Sequence, residues 1–134
     1  MSQFLVDTNV CVEYLRNRNR RLVHRFQSVD PTDIVLCSVV LGELYYSAFH
    51  SVDPPRNLAL LHRLVILVQK ATYDDDAALI YGQIRAQLAS QGTLIGPHDL
   101  QIAAIALTRN LTVVTHNVGE FSRVPDLSVE DWQV

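Results

Sequence analysis

The sequence predicts an α/β fold: a short parallel sheet covered by helices on both faces. Three observations predict it. Short, strongly apolar, β-prone runs recur along the chain, at Phe4-Leu5-Val6, Ile34-Val35-Leu36-Cys37 and Thr112-Val113-Val114-Thr115. Longer segments with helical apolar spacing separate them, and strands alternating with helices argue a parallel sheet buried on both sides. No repeat, linker or low-complexity stretch interrupts the 134 residues, so residues 1–134 read as one domain large enough for its own core.

Taken in order, Gln3 to Val6 is a short buried strand ended by Asp7-Thr8-Asn9, with Thr8 or Asn9 placed to cap the next helix. That helix carries Val10, Tyr14 and Leu15, and a second short helix carries Leu22, Val23 and Phe26. Asp30-Pro31-Thr32-Asp33 is a turn before the strand Ile34 to Cys37. Ser38 caps a helix reaching about His50, with Val40, Leu44 and Ala48 at i, i+4 and i+8. Pro54-Pro55 opens a helix with Leu58, Leu61, Leu64, Val65 and Val68 as its stripe. Ala71-Thr72-Tyr73 reads as a short strand. Asp74-Asp75-Asp76 suits the positive end of a helix dipole, and that helix runs through Leu79, Ile80, Ile84 and Leu88 to Gly92. Gly96-Pro97-His98 opens another helix, Thr112 to Thr115 is a strand, and a last one falls near Leu127 to Val129.

Composition excludes several classes. The chain is 49% hydrophobic and 19% charged, hence globular rather than disordered. Its net charge of −3 is not that of a generally basic nucleic-acid binder, so any attraction for RNA or DNA must be local. No segment approaches the ~20 apolar residues that cross a bilayer. Cys11 and Cys37 lie in apolar runs and read as buried reduced thiols, and the first strand begins too early to leave room for a signal peptide. A cytoplasmic protein is expected. Scattered histidines argue against zinc, and no Gly-rich phosphate loop followed by Lys is present.

Four acids carry the chemistry. Asp7, Glu43, Asp99 and Glu120 are each set into apolar sequence, where a charge must be paired, neutralised or metal-bound. In open α/β sheets ligands sit beyond the carboxyl ends of the strands. Asp7 and Glu120 follow strands, while Glu43 and Asp99 lie in the first turns of helices that start near that edge. One pocket can gather all four, and repulsion among them calls for a divalent cation, Mg²⁺ or Mn²⁺, acting on phosphate. Ala103 and Ala106, on the face of Asp99, are small enough to leave room beside it. Thr8, Asn9, Thr115 and Asn117 offer neutral groups to orient carboxylates or water. Each acid alone has a plainer reading, as a cap, a surface glutamate, a helix-dipole charge or a loop acid. Arg16, Arg18, Arg20, Arg21 and Arg25 place five of the eleven basic residues within ten positions, either a solvated face or an RNA-contacting edge. Arg85, Arg109 and Arg123 are weaker candidates. His98 and His116 adjoin key acids, and contact with RNA or plain exposure suits them better than metal ligation.

Leu5-Val6-Asp7-Thr8-Asn9, Val40-Leu41-Gly42-Glu43-Leu44, Gly96-Pro97-His98-Asp99-Leu100-Gln101-Ile102-Ala103 and Thr115-His116-Asn117-Val118-Gly119-Glu120-Phe121 together resemble the ordered signature of PIN-domain ribonucleases. More narrowly the chain resembles VapC toxins of bacterial toxin–antitoxin pairs, including its ending Phe121 to Leu127 and Glu130-Asp131-Trp132. The resemblance runs over nearly the whole chain. It implies a three-layer α/β/α sandwich and Mg²⁺- or Mn²⁺-dependent endonucleolytic cleavage of structured RNA. It further implies tRNA as the substrate, specifically the anticodon stem-loop of initiator tRNA. Asp7, Glu43 and Asp99 match the family's acidic positions. Many PIN domains carry Asp where this chain has Asn117, and Glu120, three residues on, takes over that corner. Homodimerisation and a small VapB-type antitoxin are also implied, with the antitoxin's tail over the acids and operator DNA touched only through the antitoxin. Two other readings stay beside it: a non-catalytic PIN-like scaffold and a DNA-directed metal-dependent nuclease.

Overall fold

The computed structural model describes residues 2–134. Five strands form one all-parallel sheet: β1 (Phe4–Val6), β2 (Ile34–Cys37), β3 (Gln69–Ala71), β4 (Thr112–Val114) and β5 (Val129–Glu130), in the order β3-β2-β1-β4-β5. Seven helices surround it: α1 (Thr8–Arg16), α2 (Arg20–Ser28), α3 (Ser38–Phe49), α4 (Pro54–Val65), α5 (Asp75–Ser90), α6 (Pro97–Arg109) and α7 (Val118–Phe121). The chain steps outward from β1 through β2 to β3, then returns to lay β4 on the other side of β1. Right-handed crossovers therefore put α1 to α4 on one face and α5 and α6 on the other. The helix neighbours agree: α1 packs on α2 and α3, α3 on α4, and α5 on α6. This is the expected three-layer arrangement.

β1 and β2 are buried along their whole length because both faces are covered. Leu5, Val6, Leu36, Val113 and Val114 centre the core, with Ile102, Ile105 and the fully buried Ala103, Ala104 and Ala106 of α6 against it. The edge strand β3 is Gln69–Ala71, not Ala71 to Tyr73. Pairing of Val35 with Gln69 and Cys37 with Ala71 fixes its register, and an edge position tolerates exposed Gln69 and Lys70. On α5 one stripe faces inward, with Ala77, Ile84 and Leu88 buried, and this leaves Leu79 65% exposed, outside the expected core. Cys37, not Ser38, holds the N-cap position of α3, and the Ser38 hydroxyl accepts from the Tyr73 backbone N–H at 3.3 Å. Cys11 and Cys37 are buried free thiols, as expected.

The chain end is pinned to the sheet by Trp132. Its ring lies edge-on to Phe4 at 5.1 Å and to Phe26 at 6.0 Å, Arg25 covers it at 5.3 Å, and its indole N–H donates to Glu130 Oε1 at 3.0 Å. That anchoring fixes the position of the preceding residue, Asp131. At the other end of the sheet, Asp74 caps α5 through Ala77 N–H at 3.0 Å and pairs with Arg109 at 3.2 Å. Asp74→Ala is expected to lower stability by about 1 kcal/mol, read as a lower urea midpoint at unchanged slope.

Candidate active site

The order β2-β1-β4 makes the junction of β1 and β4 a topological switch point, where α/β sheets bind ligands. Asp7 leaves β1 and Thr115 leaves β4 at the same end of the sheet. The ladder carries Asp7 into place, its N–H donating to Val114 O at 3.1 Å. Asp7, not Thr8 or Asn9, caps α1: its Oδ1 accepts from Val10 N–H at 3.0 Å. Its Oδ2 accepts from the Thr115 hydroxyl at 2.5 Å, and Thr115 is fully buried. Burial raises the Asp7 pKa, the two hydrogen bonds oppose that rise, and the charges of Glu43 and Asp131 add to it.

The remaining acids arrive from helices that begin at this edge. Asp99 lies in the first turn of α6, whose other end feeds β4. Glu120 lies on the short helix α7 rather than in an open loop. Gly96 N–H donates to Glu120 Oε1 at 2.7 Å, and the Asn117 amide donates to Glu120 Oε2 at 2.6 Å. A Cβ placed on Gly96 would lie 3.6 Å from Glu120 Oε1 and 4.0 Å from Asp99 Oδ2, so both carboxylates converge on the start of α6. Burial first, then the charge of Glu120 and a shared hydrogen bond, push the Asp99 pKa up to about 7, with Asp7 and Glu43 adding to the rise. Glu120 is held below its ordinary value, chiefly by Gly96 N–H. Of the two, Asp99 is therefore the carboxyl that holds a proton more tightly. Glu43 lies in the second turn of α3 rather than the first, because the helix already begins at Ser38, and it meets His98 Nδ1 at 2.5 Å. α3 and α6 lie on opposite faces and touch, which brings Glu43 toward Asp99.

All four acids therefore act on one another across one edge of the sheet. Three of them also lean on a local donor: Asp7 on Thr115, Glu43 on His98, Glu120 on Gly96 and Asn117. Among the described residues no three His, Cys, Asp or Glu side chains converge into a ready metal cage. The donor chemistry nonetheless fits a hard divalent cation. The donors are carboxylate oxygens, and burial and the neighbouring acids raise the Asp99 pKa, so its anion lacks a compensating positive charge.

Of the orienting residues read from the sequence, Thr115 and Asn117 hold carboxylates, and the Thr115 hydroxyl also accepts from Asn117 N–H at 2.9 Å. Thr8 does not: its hydroxyl is buried without a partner. Asn9 is exposed and lines the clefts beside Asp7 rather than bonding an acid. Ala103 and Ala106 make no free space beside Asp99, because both are fully buried in the core. The arginine cluster divides. Arg16 and Arg18 pair with Glu13 at 3.6 and 2.8 Å, and Arg25 pairs with Glu130 at 3.2 Å while covering Trp132. Arg20 and Arg21 are exposed and make no ion pair among the described residues. One carboxylate escaped the sequence reading: Asp131, beyond β5, whose charge reaches Asp7 and whose Oδ2 meets His116 Nδ1 at 2.9 Å. Only the neighbouring Trp132, a large aromatic near the chain end, signals in sequence that this segment docks.

Two clefts flank Asp7. One, of 440 Å³, is walled by Asp7, Asn9, Glu13, His116, Asn117 and Gln133. The other, of 590 Å³, runs past Thr8, Glu43, Tyr46 and His98. Through Val12, Arg16 and Ser47 it continues into a 510 Å³ groove between α1, α3 and α4 that includes Leu15, Leu44 and Leu61.

Comparison with known proteins places this geometry. Residues 4–127 match the PIN domain family. A tRNA(fMet)-specific endonuclease VapC of Salmonella typhimurium is 40% identical over 132 residues, 98% of this chain and 99% of its own. One of Shigella flexneri is 42% identical over the same coverage. Among solved structures, DNA-bound VapBC from Salmonella typhimurium superposes with a TM-score of 0.91 at 40% identity, covering 98% of this chain and 99% of that one. VapBC2 from Rickettsia felis, bound to a fragment of promoter DNA, does so with a TM-score of 0.88 at 30% identity, covering 96% and 98%.

Proposed function

Because the chain belongs to the PIN domain family, we propose that it is a VapC-type endoribonuclease toxin that cleaves structured RNA with the help of a divalent cation. The observation that carries the reading is the meeting of Asp7, Glu43, Asp99 and Glu120 at the switch point of a chain 40% identical, end to end, to a tRNA(fMet)-specific endonuclease. The substrate we favour is tRNA, in particular initiator tRNA at its anticodon stem-loop. Asp7, Glu43 and Asp99 would hold Mg²⁺, or Mn²⁺ in its place, and Glu120 would complete the set. The cation, when bound, polarises a phosphoryl oxygen and lowers the pKa of a water. The chain supplies position and charge. Thr115 fixes the rotamer of Asp7 and Asn117 that of Glu120. Asp99, with its pKa near 7, gives up its proton readily where a cation competes for it.

The partner is a VapB-type antitoxin, as in the DNA-bound VapBC assemblies this chain resembles, and operator DNA would be reached through that antitoxin. The groove between α1, α3 and α4 suits it. It is partly apolar and opens into the cleft on the Glu43 side, so one extended segment lying in it reaches the acids. A homodimer of the toxin completes the proposal. No helix among the described residues is long and apolar enough to cross a membrane.

The test is cleavage of unfractionated tRNA by the purified chain. Discrete cuts with Mg²⁺ or Mn²⁺, abolished by EDTA and restored by excess cation, are expected. Mapping RNA 5′ ends shortly after induction then identifies the target. Cleavage unaffected by EDTA would sink the metal-dependent reading.

A further inference from the structure

We propose that His116, anchored by Asp131, binds an RNA phosphate on the wall of the 440 Å³ cleft, beside the position of bond cleavage. This rests on the ribonuclease reading above and adds two residues to it. Asp131 is a nearly buried carboxylate, its side chain 14% exposed, with both oxygens engaged. Oδ1 accepts from Gln133 N–H at 2.9 Å and Oδ2 meets His116 Nδ1 at 2.9 Å. The chain around Asp131 is held by Trp132 against Phe4 and Phe26, so this carboxylate is a fixed post. The imidazole is the opposite: 63% exposed, on the same cleft wall as Asp7.

With Nδ1 committed to the Asp131 carboxylate, the ring's remaining nitrogen, Nε2, is its free contact. Donation from Nε2 to a phosphate makes the ring an imidazolium, paired with Asp131 on one side and the phosphate on the other. The cleft needs such a group. Asp7 and Glu13 bring negative charge to it, Asn9, Asn117 and Gln133 bring none, and the ligand is a polyanion. His98 does not serve this cleft, because it lines the other one, on the Glu43 side. The wall also leads somewhere: the Asn19 amide donates to Gln133 O at 3.5 Å, and Asn19 caps α2, which opens with the exposed Arg20 and Arg21. A strand crossing His116 is thus directed toward the part of the arginine cluster that internal ion pairs leave free. Asp131 is the positioning residue, acting through His116.

The experiment is steady-state cleavage of unfractionated tRNA by the full chain with Mg²⁺, across a salt series. His116→Ala is expected to raise KM about fivefold and change kcat by less than twofold. A single-stranded nucleic acid contributes about 0.7 to the salt slope per phosphate contact, so the dependence of log KM on log salt should flatten by about that amount. His116→Lys, which keeps a cation without the ring, should bring KM and slope back, and Asp131→Ala should reproduce His116→Ala. A purely structural role for His116 would move none of the salt slope and would not be rescued by Lys. If the wild-type chain cleaves tRNA and His116→Ala keeps its KM and slope, this proposal alone is overturned. If the wild-type chain neither binds nor cleaves tRNA, the ribonuclease reading falls and takes this one with it.

Discussion

Asp99→Asn should leave a chain that folds and binds RNA but cleaves it about 10³-fold more slowly, a loss of ~4 kcal/mol of transition-state stabilisation. The substitution is nearly isosteric and removes one charge from the group most strained by its neighbours. Burial and Glu120 already favour the neutral form of Asp99, so an amide there does not disturb the fold. What it removes is the anion that a cation would recruit. RNA binding should hold or improve, because one repulsive carboxylate is gone. Single-turnover cleavage of labelled tRNA, beside a binding titration, separates the two effects, and a cleavage rate within threefold of wild type would remove Asp99 from the site. Asp7→Asn is the less clean probe. Asp7 accepts from both Val10 N–H and Thr115, and an amide must turn its NH₂ toward one of these donors, so lost activity would mix with lost structure.

The four acids were legible because charge in apolar sequence is costly, and because strand ends and helix starts in an α/β chain share one edge. Their individual duties were not. A strand followed by Asp-Thr-Asn offers three residues able to cap α1, and only the register of β1 with β4, which brings Thr115 onto Asp7, shows why Asp7 takes the task. Ala103 and Ala106 illustrate the reverse error. Small residues on the face of Asp99 read equally well as space for a ligand or as close helix–sheet packing, and fully buried they prove to be packing. Asp131 was invisible for a third reason. Its neighbour Trp132 marks the segment as one that docks but assigns Asp131 no role, and its proximity to Asp7 depends on that ring docking against Phe4, more than a hundred residues away in sequence. The arginines likewise looked alike as a run. The fold alone separates Arg16, Arg18 and Arg25, spent on ion pairs, from Arg20 and Arg21.

A scaffold that merely kept the family's shape would show the same sheet and the same Thr115 latch, so the decisive property is what the acids do with pH and metal. Asp99 has a folded pKa of about 7 against an ordinary 3.8. An acid whose pKa is raised on folding binds its proton more tightly in the folded state, so its contribution is full below about 4 and is lost as pH rises to about 7. Asp7 shifts the same way, while Glu120, lowered, opposes them. Metal-free protein should therefore lose stability between about pH 4 and pH 7 through this site and level off above it. A divalent cation reverses the sign, because it takes the ionised carboxylates. At a hundred times its Kd it adds about 2.7 kcal/mol, or roughly 10 °C in Tm for a domain of this size. The gain should be large at pH 8, small at pH 5 where protons compete, and mostly absent in Asp99→Asn. Thermal melts with Mg²⁺ and Mn²⁺ at the two pH values measure it. A Tm indifferent to either cation at pH 8 would mean that the carboxylates repel one another for no catalytic end, and the scaffold would be the better account.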